Sequence, residues 1–298
     1  MRQGWNCLLA LCIAFAAPAT QAREEAAAEA STEPALETVL ALHVDGELDV
    51  DAAGAVAAFR IPTPMPAAVR ASLERYIAGW RFEPIIEGEA LASTTVAMQV
   101  ALAAREDAGN FRVTIENVRL WAKDAANPGS YVNQVATIAP VSLKPPSYPS
   151  SLIDYGLDGK VLVGLLLAPD GSVASASIVQ SALYDARGKP ENLRKALLMF
   201  EKSALAGARR WRFDVVATGV PTPADLTVFV PVQYLWDARR QPSGDKWRTL
   251  VRTARTPPAW LPATDDRARL GVADVGGGGV VPAAPRMRLA VDPAGTTL

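Results

Sequence analysis

A three-residue motif occurs twice in this chain, each time directly after an apolar stretch with helical spacing. Trp80-Arg81-Phe82 follows the first stretch and Trp211-Arg212-Phe213 follows the second. Gly88 and Gly219 are separated by the same distance along the sequence as the two tryptophans. Both copies have the order strand, glycine turn, strand, helix, motif, glycine loop and strand. The sequence therefore predicts one fold unit that is present twice.

The first copy is predicted to span residues 39–122. Gly46–Val50 and Ala55–Ile61 have the composition of strands, with a turn at Gly54 between them. Thr94–Leu102 and Phe111–Trp121 are predicted to form a hairpin. A helix lies between the two strand pairs, because apolar residues recur there at steps of three and four. These residues are Val69, Leu73, Ile77 and Trp80.

The second copy is predicted to span residues 140–236. Gly159–Ala168 and Ser172–Val179 form its first strand pair around Gly171, and Leu226–Trp236 forms its last strand. A longer segment separates the second strand from the helix in this copy, and the polar stretch Ser181–Asn192 supplies it. The helix is predicted from a second apolar stripe. Its residues are Leu193, Leu197, Phe200, Ala204, Ala208 and Trp211.

The first residues of the chain are typical of a secretory signal peptide. Residues 1–22 begin with Arg2, continue with the apolar run Leu8–Ala17 and end on small residues. This run is shorter than the roughly 20 residues that a membrane-spanning helix needs, so we expect cleavage, with an uncleaved anchor as the alternative. Residues 23–38 are predicted to be a flexible leader.

Two further segments lie outside the copies. Residues 123–139 are predicted to be a linker. Residues 237–298 are rich in arginine and proline and carry the run Gly276–Gly279. They are predicted to be a basic, partly disordered tail, in which Lys246–Arg255 forms a short basic helix.

The composition argues against most catalytic chemistries. Both cysteines, Cys7 and Cys12, lie inside the predicted signal, so cleavage leaves a chain without thiols, which fits the oxidising bacterial periplasm. His43 is the single histidine, and we expect it to be solvent-exposed and without a functional role. Zinc sites and histidine-based triads therefore lack their usual residues. The net charge of −1 gives no reason to expect a nucleic-acid partner.

We therefore predict a non-enzymatic protein without metal or cofactor. A hydrolase that uses acidic or Ser/Lys residues remains an alternative from a different functional class.

The second copy resembles the C-terminal domain of TonB-type energy transducers. The matching residues are Pro145–Pro149, Gly156, Gly159–Val163, Pro169–Val173, Trp211–Phe213 and Val230–Val232. The resemblance implies an α+β fold in which helices pack on a small three-stranded antiparallel sheet. It also implies that a sheet edge binds a short peptide from an outer-membrane receptor. The first copy is similar but lacks an equivalent of Tyr148-Pro149, so we expect two such units in tandem, each with its own sheet.

Several residues of the matching motifs are predicted to be structural. Pro149 can begin a short helix beside Tyr148, and Gly156 can end it in the left-handed conformation. Gly171 serves the turn of the second copy. The aromatic residues of the repeated motif are predicted to be buried: Trp80, Phe82, Trp211 and Phe213.

The last strand of the second copy is the predicted binding surface. Pro231 lacks an N–H group and so favours an edge position. An open edge can hold an extended peptide of an envelope protein, here with Val228, Val230, Val232 and Tyr234 on one face as the candidate contact residues. The alternatives are an edge covered by the tail or by the first copy, a membrane-anchored TonB-like transducer for outer-membrane transport, and a structural component that self-associates.

Overall fold

Most of the chain beyond the predicted signal and leader is placed in one folded unit. The computed structural model describes residues 35–84, 93–122, 131–132, 135–237, 246–274, 280–281 and 287–298. The predicted signal peptide, most of the leader, Gly88, Gly276–Gly279 and the first part of the linker lie outside the described residues. Leu36–Leu298 forms one unit to which both predicted copies contribute. None of the described helices combines the length and the apolar character that crossing a membrane requires.

Both predicted helices form at the apolar stripes. Helix α1 spans Ala67–Ala78 and follows Pro66, whose missing N–H costs nothing at a helix start. Helix α2 spans Pro190–Ala208 and begins with a proline for the same reason. The stripe residues of α2 from Leu193 to Ala208 are buried, and in α1 Leu73 and Ile77 are buried.

Neighbouring strands of the described residues pair antiparallel throughout. The strands are β1 (Glu37–Val50), β2 (Val56–Arg60), β3 (Phe82–Pro84), β4 (Thr94–Asp107), β5 (Asn110–Ala122), β6 (Tyr131–Val132), β7 (Ala136–Ser142), β8 (Asp158–Leu167), β9 (Val173–Tyr184), β10 (Arg212–Ala217), β11 (Thr227–Tyr234), β12 (Arg248–Arg252) and β13 (Met287–Leu289). In the described ranges three 3₁₀ helices accompany them, the first at Ser150–Tyr155, the second at Asp266–Arg269 and the third at Val272–Asp274.

Strands from both copies lie in one eight-stranded sheet. Its order is β11-β8-β9-β12-β1-β4-β5, and β2 pairs with the far end of β1. Strand β12 pairs with β9 on one side and with β1 on the other, so it joins the two copies. The expectation of two separate three-stranded sheets is therefore wrong. The fold is α+β with mostly antiparallel sheets, as the sequence predicts at this coarser level.

Two further expectations about connecting segments need correction. Lys246–Arg255 is not a short helix, because Arg248–Arg252 forms β12. The described part of the tail contributes two strands and two 3₁₀ helices to the fold. The predicted linker contains the start of β7, which pairs with β10 in a smaller sheet with β6. Lys123–Ser130 lies outside the described residues.

The two faces of the main sheet are covered by different parts of the chain. Both helices pack on one face, α2 around Phe200 and α1 around Leu73. Val39 and Leu250 are cross-strand neighbours that point to the other face, where they cluster with Val272 and other apolar residues of the C-terminal segment. The third 3₁₀ helix contacts β1, β4, β5, β8 and β9, so the sheet curves around it.

The glycine turn and the aromatic motif have the same geometry in both copies. Gly54 and Gly171 both have a φ angle of +76°, which favours glycine. The Phe82 N–H donates to the Gly54 carbonyl at 2.7 Å, and the Phe213 N–H donates to the Gly171 carbonyl at 3.0 Å. The four motif aromatics are buried, as predicted, and the arginine between each pair is exposed. The motif thus anchors the strand after each helix to the turn of its own copy.

An ion-pair network ties β12 to strands of the first copy. Arg252 pairs with Glu37 at 2.7 Å and also with Glu116, and Arg105 bonds both carboxylates at 2.8 and 2.7 Å. The Arg252 side chain is 5% exposed and the Glu116 side chain 10% exposed. Burial alone would raise the pKa of Glu116, but the hydrogen bonds and charges of Arg252 and Arg105 lower it to about 2. The network therefore holds a buried arginine with its charge compensated.

The substitution Glu116→Gln should destabilise the protein by about 2 kcal/mol at pH 7, because Arg252 loses a buried carboxylate but keeps Glu37. The pKa of Glu116 is lowered in the folded state, so its stabilisation is present above the ordinary pKa of 4.5 and is lost as the pH falls toward about 2. The difference between wild type and variant should therefore shrink over this range. Denaturant unfolding across a pH series measures it, with exposed Glu106→Gln as the neutral control.

The substitution Gly171→Ala should cost about 3 kcal/mol or more, because the added Cβ would lie 1.8 Å from the Phe213 carbonyl oxygen. Gly109→Ala is the matched control: Gly109 also has a positive φ angle, of +83°, but no atom lies within 4 Å of the added Cβ. It should cost only about 1 kcal/mol, the price of the left-handed conformation. Equal losses in thermal or denaturant unfolding would contradict a role for the close turn–motif contact.

Candidate functional site

Strand β11 lies at one end of the main sheet, where the sequence places an edge strand. Among the described strands it pairs with β8 alone, in a register that sets Val232 opposite Val161. Pro231 occupies the middle of the strand, and its missing N–H removes no bond to β8, because its backbone points outward. The edge position is therefore as predicted.

The side chains predicted to contact a peptide point into the protein core. Val228, Val230, Val232 and Tyr234 are buried in the core with α2. Val230 is 3% exposed, and the Tyr234 hydroxyl donates to the Phe200 carbonyl at 3.1 Å. A lysine at position 230 would bury an unpaired charge, so Val230→Lys would disturb the fold and could not test binding at this strand. Any binding at this edge has to use the backbone.

The outward side of β11 is covered along its first half. Leu226 and Val228 bond toward β8, so Thr227 and Phe229 point their backbone groups away from it. Arg267 donates to the Thr227 carbonyl at 2.9 Å, and the Val281 N–H donates to the Phe229 carbonyl at 2.9 Å. The expectation that the tail covers this edge therefore holds for this half.

The second half of the edge has a different environment. Pro231 and Gln233 continue the alternation and point their carbonyls outward, and Gln233 also points its N–H outward. No described residue bonds to these groups. Backbone acceptors and a donor in this alternating pattern are what an added strand needs.

The first copy has a strand at the equivalent position. Val44 and Val161 lie at the same distance before their turn glycines, and their partners are Val100 on β4 and Val232 on β11. On its outward side β4 pairs with β5 from Val96 to Asp107. On β11 the side that corresponds to the β5 side of β4 is different. Among the described residues, only Arg267 and Val281 bond to it, at the carbonyls of Thr227 and Phe229.

The segment before β8 has the predicted local structure. Pro149 precedes the first 3₁₀ helix, and Gly156 ends it with a left-handed φ of +59°. The Tyr148 hydroxyl donates to the Leu157 carbonyl at 2.7 Å, and its ring packs edge-on against Phe200. These residues support the end of β11 from the helix side of the sheet.

A buried polar cluster lies on the other face, and sequence reasoning did not identify it. It consists of His43 on β1, Arg119 on β5, Lys160 on β8 and Asp274 in the third 3₁₀ helix. Arg119 donates to the Asp274 carbonyl at 2.9 Å. Burial lowers the pKa of Lys160 to about 8 and that of Arg119 to about 10, and it raises the pKa of Asp274. Lys160, a charged residue within the apolar run of β8, was the sequence signal that could have pointed to this cluster.

This cluster corrects the expectation for His43. His43 is half-buried rather than exposed, and burial with the nearby charge of Lys160 lowers its pKa to about 4. A Ser/Lys pair does not form between Lys160 and Ser181, because Ser181 bonds Glu201 on the helix face whereas Lys160 points to the opposite face. Lys160 and Asp274 are almost fully buried, and the bond from Arg119 ties the third 3₁₀ helix to the sheet.

Comparisons of the chain with family models, curated proteins and solved structures found no match. Within the described residues, no group of three or more His, Cys, Asp or Glu side chains could hold a metal ion. The candidate site therefore stands on the geometry of β11 alone.

The substitution Arg267→Ala should destabilise the protein by about 2 kcal/mol, because it leaves the Thr227 carbonyl without its donor and removes one of the two donors to the Ala224 carbonyl. Hydrogen exchange at the Val281 amide should accelerate as the covering segment loosens. Arg288→Ala is the control, since Arg288 is exposed and its nearest carboxylate is 3.6 Å away; it should change stability by less than about 0.5 kcal/mol. Unchanged exchange at Val281 would show that Arg267 does not hold this segment.

Proposed function

We propose that the protein is a non-enzymatic binding protein of the bacterial periplasm. It holds an extended peptide of another envelope protein along the outward side of β11, at Pro231 and Gln233. The observation that carries this proposal is the contrast between the copies: β4 is paired on both sides, whereas the equivalent part of β11 has a described partner only on the β8 side.

The proposal includes two TonB C-terminal-like units in tandem, with the first copy degenerate. The recurring turn geometry at Gly54 and Gly171 supports a shared ancestry of the copies. The two copies differ in one hydrogen bond of the repeated motif. The Trp211 indole donates to the Lys144 carbonyl at 2.9 Å, whereas the buried Trp80 indole has no acceptor among the described residues. The segment before Tyr148 supplies that acceptor, and the first copy lacks it.

Backbone pairing sets the chemistry of the proposed site. The outward carbonyls of Pro231 and Gln233 accept hydrogen bonds, and the Gln233 N–H donates one. Because Pro231 has no N–H, a bound peptide meets an interrupted ladder, which limits indiscriminate pairing. The same edge would let two molecules of the protein pair with each other, which corresponds to the alternative of a structural component that self-associates. An uncleaved signal would make the protein an anchored TonB-like transducer.

The substitution Gln233→Pro should weaken the site, because it removes the outward N–H without removing a bond to β8. Gln233→Ala keeps the N–H and is the matched control. The probe is a fluorescein-labelled peptide with the sequence of residues 110–122, the strand that occupies the equivalent edge of the first copy. We expect Gln233→Pro to weaken binding by about tenfold or more and Gln233→Ala to change it little.

Fluorescence anisotropy measures this affinity, and light scattering of the same samples reports on pairing between copies. Equal binding by wild type and Gln233→Pro would exclude the β11 edge. A dimer that dissociates in Gln233→Pro would favour the self-associating component instead.

A further inference from the structure

A second surface of the molecule exposes large apolar side chains close together. Leu198 on α2 is 55% exposed, and Met199 beside it is also exposed. Tyr155, at the end of the first 3₁₀ helix, is 73% exposed, and Trp236, just after β11, is 52% exposed. Such side chains are normally scattered singly on a soluble protein, so a group of them indicates a contact surface.

Three observations place the segments that carry these side chains next to each other. The Ser151 hydroxyl contacts the Met199 sulfur at 3.2 Å, which places the first 3₁₀ helix beside the exposed side of α2. Tyr155 follows four residues later, about 8 Å along a 3₁₀ helix. The Trp236 ring lies against Gly156, the next residue.

Basic side chains flank the apolar ones. Lys195, Leu198, Met199 and Lys202 occupy positions i, i+3, i+4 and i+7, so they form one stripe on α2. Both lysines are exposed, and Arg209 and Arg210 follow at the end of the helix. The exposed acidic residues of α2 and the first 3₁₀ helix are Glu191 and Asp154. Asp158, which accepts a hydrogen bond from the Trp236 N–H, and Asp237 are half-buried, so the basic part of this face is the α2 stripe with Lys195 and Lys202.

We propose that this basic apolar surface, formed by Tyr155, Lys195, Leu198, Met199, Lys202 and Trp236, binds the surface of an anionic phospholipid bilayer. Tryptophan and tyrosine suit the interface because they have an apolar ring and a polar group. The lysines keep their charge at the headgroups while their stems lie along apolar surface. Anionic headgroups complement this charge, whereas a second copy of the same face would repel it. The inference does not depend on peptide binding at β11.

The test uses the described unit, residues 36–298, so that the predicted signal cannot contribute. Binding is measured by co-sedimentation with vesicles of equal parts phosphatidylcholine and phosphatidylglycerol, and with vesicles of phosphatidylcholine alone. We expect the double substitution Leu198→Ser and Met199→Ser to weaken binding to the anionic vesicles by about tenfold. Lys195→Gln with Lys202→Gln should weaken it about tenfold as well, and added salt should do the same.

Two matched controls separate this surface from general charge and hydrophobicity. Val220→Ser removes a more exposed apolar side chain outside the surface, and Lys246→Gln removes an exposed lysine just before β12. Both should bind as the wild type does. Wild-type protein that fails to sediment with anionic vesicles overturns the proposal, as do equal losses in controls and surface variants. A dimer that the Leu198/Met199 variant disrupts, or capture of an acidic polypeptide such as polyglutamate with no vesicle binding, would assign the surface to those partners instead.

Discussion

The whole arrangement depends on Arg252, a charged residue near the end of a five-residue strand in the middle of the sheet. Strand β12 is the described connection between the β8–β9 pair and the β1–β4–β5 group, so its register fixes how the two copies are joined. A shift of one residue would turn Arg252 toward the helix face, where Val251 packs with α2. There its charge would lie among apolar side chains without a carboxylate. Glu37 and Glu116 thus select the register as well as compensating the charge.

This junction explains why the last part of the chain is folded where it is described. Once β12 is inserted, the following residues lie over the sheet face opposite the two helices, where the third 3₁₀ helix packs against strands of both copies. The same segment then reaches both ends of the sheet. Val281 bonds β11, and the Leu298 N–H donates to the Val113 carbonyl on β5. Exposed edges invite association, so covering them has a clear physical benefit. The outward side of β11 beyond Phe229, to which no described residue bonds, contrasts with these covered parts of the two edges.

The sequence predicts the parts of this fold whose signals are local. Periodicity predicts both helices, the β4–β5 hairpin follows from alternation, and Pro149 and Gly156 delimit a 3₁₀ helix. It fails at β12, because an arginine-rich stretch looks solvated until Glu37 and Glu116, far away in sequence, are placed beside it. It also fails at the candidate contact residues. Alternation shows that Val228 to Tyr234 share a face, but it does not reveal that α2 covers that face and the C-terminal segment the other.

The two proposed surfaces rest on different forces, and this difference has a consequence for how they would work together. Pairing at β11 uses backbone hydrogen bonds and so should depend weakly on salt, whereas the basic apolar surface depends on charge and should lose its partner as salt rises. Trp236 follows β11 after a single residue, which places the end of β11 beside that surface. A chain held at a bilayer by Trp236 and Tyr155 would present Gln233 near the headgroups. Its peptide partner would then be a segment that is extended close to a membrane, rather than one free in solution.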